Sequence, residues 1–269
     1  MKVNLIFGHS GYLARNLYQE LIKRKQNVFV VTRKKIKKKN FINIDNYNKK
    51  KINFCINKIK PKYIWNMIGI NSKDFNTNIR INYEISKNII DASYNLKHKP
   101  KILLIGSIAE YGNYKDRFNE NDYLNPVNNY GLSKAFQTMY ALNHSTQFKT
   151  KIILARISNI FGEQMSEKFF LRKAYDYNHS LKKKIIIYKN FKRDYVHISE
   201  VVKMIYKTMH KGKIGEVYNV GRGTAVSNLT MFNNILKKKK LKINSKNVTI
   251  RNNKIYNTVY FDIKKFKNI

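Results

Sequence analysis

The sequence predicts an α/β fold, in which a doubly wound parallel sheet is joined to a smaller, interwoven C-terminal lobe. Short apolar runs alternate with amphipathic segments, and a glycine-rich turn joins the first run to the first amphipathic segment. This alternation is typical of βαβ units, which form parallel sheets with helices on both faces. Ligands of such sheets bind at the carboxyl ends of the strands. We therefore expect Gly8, Arg33, Gly69 and Ser107, which end or follow four predicted strands, to lie at one edge.

The first unit is a strand, a glycine turn and a helix. Residues 3–7 are an apolar run that predicts a buried parallel strand, and residues 12–25 carry their leucines on one helical face. Between the two, Gly8 permits a tight turn, Gly11 lets a pyrophosphate approach the backbone, and the small Ala14 allows close helix packing. The first amides of the helix would face the bound anion. The pattern predicts a Rossmann-like dinucleotide site.

The end of the second predicted strand, residues 27–32, bears on which dinucleotide binds. In such sites an acidic residue at this position binds the adenosine ribose, whereas a basic residue accommodates an added 2′-phosphate. Here Thr32 is followed by Arg33 and Lys34, with no acid. The sequence therefore favours NADP(H). NAD(H) is the alternative, because Arg33 also begins a basic run at residues 33–39.

The rest of the chain continues the alternation of strands and helices. Strands are predicted at residues 41–45, 62–68, 101–107, 151–157, 185–188 and 216–220. Helices are predicted at residues 50–60, 78–95, 167–178, 201–209 and 228–239, together with one that starts at Tyr130. No repeat and no linker rich in Pro, Gly or Ser divides the chain. We therefore expect interwoven lobes: residues 1–160 and 190–222 would bind the dinucleotide, and residues 161–189 and 223–269 would form the smaller lobe.

A tyrosine and a lysine one helical turn apart form a candidate acid and base pair. Residues i and i+4 share a face of a helix, so the Lys134 ammonium can lie near the Tyr130 phenol. A neighbouring cation favours the phenolate and would bring the tyrosine pKa from about 10 towards neutrality. Ser107, at the end of an apolar strand, is a third candidate. The alternative for the pair is an ordinary amphipathic helix.

The composition narrows the class of protein. The chain has 269 residues, with 54 Lys and Arg against 16 Asp and Glu, and a formal net charge of +38. Because its lysines are scattered and no nucleic-acid-binding module is recognisable, we expect a solvated basic surface and no nucleic-acid site. No apolar run reaches the roughly 18 residues that predict a membrane span. The single Cys55 excludes a cysteine-rich metal site and fits a reducing cytoplasm, and we expect no metal.

Six motifs in this order resemble those of the extended short-chain dehydrogenase/reductase family, the NAD(P)-dependent epimerases, dehydratases and reductases of nucleotide-activated sugars. They are the glycine turn, Ser107 four residues before YG at 111–112, Tyr130 with Lys134, RISNIFG at 156–162, RDYVH at 193–197 and GEVYNVG at 215–221. The resemblance runs from residue 2 to about residue 262. It implies a Rossmann-like domain, a nucleotide-activated sugar as substrate and a homodimer in the cytoplasm.

Carried over motif by motif, the resemblance implies roles for individual residues. It implies that Tyr130 exchanges a proton with the sugar oxygen, that Ser107 hydrogen-bonds the same oxygen, and that Lys134 binds the nicotinamide ribose and tunes Tyr130. The implied cofactor contacts are Gly8, Ser10, Gly11, Tyr12, Leu13, Arg33, Asp45, Ile68, Tyr130 and Lys134. The implied substrate contacts are Ser107, Glu110, Asn159 and Arg193, with Arg193 at the diphosphate.

Two apolar residues, which cannot transfer protons, reduce the number of candidate reactions. The 4,6-dehydratases that the chain resembles place Asp-Glu directly after the catalytic serine or threonine, whereas this chain has Ile108 and Ala109. Dehydration is therefore disfavoured, and so is a 3,5-epimerase/reductase that uses a cysteine, because Cys55 lies in an early predicted helix. The resemblance to reductases of the GDP-6-deoxy-mannose type predicts reduction of a 4-keto-6-deoxyhexose at C4. The alternatives are a nucleotide-sugar 4-epimerase with tightly bound NAD and a non-catalytic NADP-binding regulatory protein.

Overall fold

The computed structural model describes residues 2–178, 184–252 and 257–269, which form a mixed α/β structure. Its strands are β1 (Val3–Phe7), β2 (Asn27–Thr32), β3 (Phe41–Asn43), β4 (Tyr63–Asn66), β5 (Lys101–Ser107), β6 (Arg117–Phe118), β7 (Ile152–Ile157), β8 (Asn159–Phe161), β9 (Ile185–Tyr188), β10 (Phe191–His197), β11 (Val217–Val220), β12 (Ala225–Ser227), β13 (Val248–Arg251) and β14 (Asn257–Phe261). Its helices are α1 (Tyr12–Lys23), α2 (Lys49–Ile59), α3 (Phe75–Asn78), α4 (Ile85–Tyr94), α5 (Asn129–Phe148), α6 (Arg172–Tyr175), α7 (Ile198–Lys211), α8 (Asn228–Lys238) and α9 (Lys264–Lys267). A π-helical turn, Ile79–Glu84, joins α3 to α4, and a 3-10 turn, Ile108–Glu110, follows β5.

Seven strands form one sheet, in the order β3-β2-β1-β4-β5-β7-β11. Every neighbouring pair in this sheet is parallel. The strand order reverses between β1 and β4, so a crevice forms beyond the carboxyl ends of these two strands. The predicted fold class, a Rossmann-like doubly wound parallel sheet, is confirmed.

Helices cover both faces of this sheet because its strands are apolar on both sides. In β1, Ile6 packs into an apolar cluster with α1 and α7, whereas Leu5 and Phe7 pack into a second cluster with α2, α4 and α5. All three side chains are fully buried. Because side chains alternate between the two faces of a strand, a continuous apolar run marks a strand that is buried on both sides. Among the described residues, no helix is both long and apolar enough to cross a membrane.

A second, smaller sheet has the order β12-β10-β14-β6, with β8 beside β10, and β13 pairs separately with β9. An apolar core next to these strands includes Tyr177, Ile187, Phe232 and Ile235, the last two from α8. The residue boundaries predicted for the two lobes stay a prediction. Residues 179–183 and 253–256, which fall within the predicted smaller lobe, lie outside the described residues.

Strand β6 brings the middle of the chain into the smaller sheet. It lies in the loop between β5 and α5, and it pairs in parallel with β14, with Phe118 opposite Phe261. The Tyr260 amide donates to the carbonyl of Asp116 at 2.9 Å, and the Asp262 amide donates to the carbonyl of Phe118 at 2.6 Å. The loop that leads from β5 to α5 is therefore attached to a strand from the far end of the described chain.

The helix predicted at residues 167–178 is wrong in its extent, because α6 covers Arg172–Tyr175. Before and within α6, backbone amides donate to carbonyls three residues earlier, as Ala174 does to Leu171 at 3.1 Å. Leu171, Ala174 and Tyr177 are all buried. Backbone bonds over three residues are typical of 3-10 turns, which are frequent at the ends of α-helices. The segment is therefore a single short helix preceded by such turns, where a longer helix was expected.

Candidate active site

A cavity of about 240 Å³ lies at the crevice where the order of the main sheet reverses. It is lined by Gly8, Ser10, Gly11, Arg33, Tyr47, Met67, Ile68, Gly69, Ile70, Thr77, Arg80 and Ile81. Five of the predicted cofactor residues are among them, namely Gly8, Ser10, Gly11, Arg33 and Ile68. The structure thus brings the ends of β1, β2 and β4 together around one cleft.

The glycine turn fits the pyrophosphate of a dinucleotide. Gly8 has a φ of +89°, and a Cβ there would lie 2.8 Å from Cγ1 of Ile68. The Gly11 amide donates to the carbonyl of Gly8 at 3.0 Å, and Gly11 is the N-cap of α1. No side chain among the described residues caps this helix. Because the first amides of a helix lack intrahelical partners and carry the positive end of its dipole, they suit a bound anion.

The other predicted cofactor residues lie at different distances from this cleft. Tyr12 and Leu13 begin α1, where both pack on the cluster beneath the sheet. The Tyr12 hydroxyl is buried and has no hydrogen-bond partner among the described residues, and burial raises its pKa to about 12. Asp45 is exposed just after β3, is ion-paired with Lys51, and does not line the cavity. Its implied cofactor contact stays a prediction.

The cleft is rich in cations. Arg33 lies at its edge, with its guanidinium carbon 5.8 Å from the centre of the Tyr47 ring. His9, in the glycine turn, has a pKa lowered by burial and then by the charges of Arg15, Lys38 and Lys34. A positive potential of this kind attracts phosphate groups.

The candidate catalytic side chains meet where β5 ends and α5 begins. Ser107 is the last residue of β5, and Tyr130 is the second residue of α5. The Asn128 side chain caps α5 by accepting a hydrogen bond from the Gly131 amide at 2.8 Å. Gly131 also lets α5 approach the 3-10 turn, since a Cβ there would collide with the carbonyl oxygen of Ala109. The Ser107 side chain then lies close enough to the Tyr130 phenol to lower its pKa.

The pKa of Tyr130 shifts in the direction opposite to the one expected from the sequence. Burial raises this pKa above its ordinary value, the neighbouring Ser107 side chain lowers it, and the charge of Glu110 raises it. The Lys134 ammonium is itself buried and donates to the Ile105 carbonyl at 2.8 Å and to Oε1 of Gln137 at 3.2 Å. Burial lowers the pKa of Lys134 to about 8. The phenol of Tyr130 therefore stays protonated at neutral pH and is suited to donate a proton.

Lys134 also lies between the candidate catalytic residues and the cleft. A Cβ on Gly69, which lines the cleft, would lie 3.5 Å from Nζ of Lys134. The ammonium is thus directly behind Gly69 in the wall of the cavity. Gln137, one turn further along α5, was missed by sequence reasoning, although its position three residues after Lys134 was a usable signal.

Glu110 does not face a substrate. Its side chain is fully buried, and its carboxylate accepts hydrogen bonds from the Ser107 amide, the Thr138 hydroxyl and Nε of Arg156. The substrate contact implied for Glu110 is therefore corrected, because none of its surface reaches the solvent. Its actual position is directly beneath the turn that carries Ser107.

The implied substrate residues Asn159 and Arg193 lie on neighbouring strands of the smaller sheet, β8 and β10. Asn159 donates to the carbonyl of Asp194 at 3.2 Å, and Arg193 donates to the carbonyl of Asn257 at 2.9 Å. Both are partly exposed. The guanidinium carbon of Arg193 lies 4.9 Å from the centre of the Phe191 ring. Their contacts to a substrate stay a prediction.

Several residues of the cleft were not predicted from the sequence. Thr77, Arg80 and Ile81 line it from α3 and the π-helical turn, and Ile70 lines it from the loop after β4. The side chain of Asn82 holds this loop: it accepts from the Ile70 amide at 2.8 Å and donates to the Ile70 carbonyl at 2.9 Å. No motif of the sequence marks this segment. Its position depends on the buried Asn82, whose role cannot be read from an apolar pattern.

The chain belongs to the NAD-dependent epimerase/dehydratase family, whose model matches residues 4–221. Two relatives are dTDP-D-glucose 4,6-dehydratases. That of Dictyostelium discoideum is 32% identical over 120 residues, which are 44% of this chain and 27% of the relative. That of Bos taurus is 27% identical over 138 residues, which are 51% of this chain and 39% of the relative. The matched stretches thus cover well under two thirds of these relatives.

Solved structures share the fold over the whole chain. The dTDP-glucose 4,6-dehydratase of Bacillus anthracis, in complex with NAD, has a TM-score of 0.83 at 18% identity, over 100% of this chain and 90% of that one. The UDP-glucose 4-epimerase of Thermotoga maritima, with UDP-glucose, has a TM-score of 0.84 at 18% identity, over 99% of this chain and 91% of that one. At this level of identity, the similarity establishes the fold.

Proposed function

We propose that the protein is an NAD(P)H-dependent reductase of a nucleotide-linked 4-keto-6-deoxyhexose. The observation that carries this proposal is the corner formed by Ser107 and Tyr130. There a tyrosine whose pKa is raised by burial lies beside a serine at the carboxyl end of a central strand. A protonated phenol beside a hydroxyl is suited to donate a proton to a ketone oxygen as the ketone is reduced.

In the proposed reaction, Tyr130 donates its phenolic proton to the C4 oxygen of the sugar. Ser107 donates a hydrogen bond to the same oxygen and stabilises the charge that develops on it. Lys134, fixed by Ile105 and Gln137, holds the nicotinamide ribose at the wall of the cleft. When bound, a dinucleotide whose pyrophosphate is held by the glycine turn would supply the hydride.

Dehydration is disfavoured by the residues that follow Ser107. Elimination of water needs an acid and a base in addition to the residue that exchanges the C4 proton, but Ile108 and Ala109 of the 3-10 turn are apolar. The dehydratase relatives are matched over about half of this chain or less. Their dehydratase activity therefore supports the class of substrate, a nucleotide-linked hexose, more strongly than it supports the reaction.

To test the proposed function, purified protein is mixed with NADPH or NADH and with each of a panel of nucleotide-linked 4-keto-6-deoxyhexoses. The absorbance of the reduced nicotinamide then reports whether it is consumed. We expect NADPH to be consumed with at least one of them. A nucleotide-sugar 4-epimerase is the second candidate, favoured by the fold shared with UDP-glucose 4-epimerases. It would consume no reductant, and the protein would release stoichiometric nicotinamide on denaturation.

We also propose that two copies associate through α5. This helix of 20 residues has Lys134 as its single Lys, Arg, Asp or Glu, and that residue is buried. Phe136 and Met139 project from it with exposed fractions of 39% and 61%. In a chain with 54 Lys and Arg, contacts elsewhere on the surface would oppose like charges. The uncharged face of α5 is therefore well suited to a second copy.

Light scattering tests this association. We expect the native protein to have the mass of a dimer and Met139→Lys to have the mass of a monomer. Phe54→Lys, which adds the same charge at another exposed apolar residue on α2, is the control and should leave the dimer intact. A monomeric native protein would contradict the proposal.

A further inference from the structure

Glu110 occupies a central position beneath the catalytic corner. Its Oε1 accepts a hydrogen bond from the Ser107 amide at 2.7 Å, and its Oε2 accepts from the Thr138 hydroxyl at 2.8 Å and from Nε of Arg156 at 2.8 Å. Ser107 begins the 3-10 turn, Thr138 belongs to α5, and Arg156 belongs to β7. One carboxylate therefore joins the elements that carry Ser107 and Tyr130.

The surroundings of Glu110 are built for a charged carboxylate. Both Glu110 and Arg156 are almost completely buried, with exposed fractions of 0% and 3%. Arg156 also donates to the Tyr111 hydroxyl at 2.6 Å, which in turn donates to Oδ1 of Asn219 at 3.0 Å. A Cβ on Gly106 would lie 2.5 Å from Oε1 of Glu110, so the glycine leaves room for this oxygen. Buried ion pairs are tolerated when their remaining hydrogen bonds are satisfied, as they are here.

We propose that Glu110 is a positioning residue, which fixes the Ser107 hydroxyl against the Tyr130 phenol by bonding the 3-10 turn and α5 at the same time. The kinetic test of this inference rests on the proposed function, whereas the hydrogen bonds of Glu110 do not depend on it. A rigid link between the two elements keeps the hydrogen-bond donors at the distance that the reacting oxygen needs, and a misplacement of about 1 Å costs roughly 100-fold in rate.

The charge of Glu110 has a second effect on the same corner. It raises the pKa of Tyr130, since a nearby anion disfavours the phenolate, and it raises the pKa of Lys134, since the anion favours the ammonium. The other titratable groups of this network, Arg156 and Tyr111, bond to each other, and Arg156 also bonds to Glu110. Loss of the Glu110 charge should therefore lower both pKa values.

The decisive variant is Glu110→Gln, which keeps the size of the side chain but turns one of its two acceptor edges into a donor. We expect kcat to fall by about 100-fold. We also expect the basic limb of the pH profile of kcat/KM to move to lower pH, because Lys134, whose pKa is about 8, and then Tyr130 lose their protons earlier without the Glu110 charge. A kcat within about twofold of the native value, or an unmoved basic limb, would overturn the proposal.

Two further variants separate positioning from general stability. Thr138→Val removes the bond to α5 but keeps the charge, so kcat should fall by about 10-fold, the worth of one hydrogen bond to a charged group, with an unmoved basic limb. An unchanged kcat here would overturn the proposal even where Glu110→Gln does not fold. Ile56→Val, in the fully buried core on α2, should lower Tm without changing kcat or the profile.

A titration without substrate distinguishes this inference from the proposed function. The ultraviolet absorbance of tyrosinate, taken as the difference between the protein and its Tyr130→Phe variant, reports the pKa of Tyr130. We expect this pKa to be lower in the Glu110→Gln background. Absence of turnover with every sugar would sink the proposed reductase, whereas an equal Tyr130 pKa in the two backgrounds would sink the role of Glu110.

Discussion

The two halves of the candidate site differ in how their polar groups are satisfied. In the cofactor cleft and on the smaller sheet, the first amides of α1 lack a side-chain cap among the described residues, and Arg33 and Arg193 are at least partly exposed. In the corner between β5 and α5, Glu110 and Lys134 are buried and bonded to protein groups. Open groups are free to bind a ligand, and groups that bond each other hold a geometry. We therefore expect changes in the first half to alter KM and changes in the second to alter kcat.

The largest expected effect is that of Tyr130→Phe. Because the phenolic proton is lost while the ring is kept, kcat should fall by roughly 10²- to 10⁴-fold, with dinucleotide affinity within a few-fold of the native value. Turnover and fluorescence titration with NADPH are the two measurements. An undiminished rate would mean that Tyr130 does not donate the proton.

Arg193→Ala tests the half that holds the ligand. If Arg193 binds the diphosphate, loss of this charge-assisted contact should raise KM for the nucleotide sugar by about 10- to 100-fold, with kcat nearly unchanged. Lys192→Ala, an exposed neighbour on the same strand, is the control and should have little effect. Equal effects of the two variants would mean that Arg193 acts through general charge alone.

Arg33→Ala tests the contact to the cofactor in the same half of the site. If Arg33 accommodates a 2′-phosphate, KM for NADPH should rise by about 10-fold or more, whereas KM for NADH should change little. Steady-state kinetics with both reductants provide the measurement, and Lys35→Ala, in the same exposed run, is the control. A parallel rise for both reductants would argue against recognition of the phosphate.

Lys134→Met should stabilise the fold although it impairs catalysis. The native lysine is charged in a buried position, where its pKa falls from 10.5 to about 8. Both acceptors of the lysine keep another donor when the ammonium is removed. The Ile105 carbonyl still accepts from the Gln137 side-chain amide, and Oε1 of Gln137 still accepts from the Ser86 hydroxyl. We therefore expect the free energy of unfolding at neutral pH to rise by about 1–2 kcal/mol in the variant.

The pH dependence of this difference has a definite sign. Between pH 8 and pH 10.5 the folded lysine loses its proton while the unfolded one keeps it, so the native protein gains stability relative to the variant as pH rises. Below pH 8 the difference should be constant. Denaturant unfolding of both proteins at several pH values measures it, and a variant that is less stable at neutral pH would contradict the expectation.

The parts of the structure that could be predicted are those whose local pattern determines them. The strands of the main sheet are buried on both faces, so their apolar runs are continuous, and the glycine turn and Ser107 follow from where those runs end. By contrast, β8 and β12 have only half-buried residues, and their pairing with β10 depends on distant parts of the chain. No local pattern marks such strands.

The same distinction explains which expectations about the site were wrong. The spacing of Tyr130 and Lys134 gave their shared helix correctly, but the direction of the Tyr130 pKa depends on burial and on Glu110, neither of which a spacing contains. Glu110 was expected at the substrate from the family resemblance. Its partners Thr138 and Arg156 come from two other elements, and only the folded structure brings them to it.

The pairing of β6 with β14 has a consequence for the order in which the protein assembles. A nascent chain that has been made as far as Val220 contains every strand of the seven-stranded sheet, and this sheet can form while synthesis continues. The loop from Ser107 to Tyr130 still lacks its partner at that stage, because Tyr260 and Phe261 have not yet been added. Dinucleotide binding should therefore be acquired during translation before the catalytic loop is fixed in place.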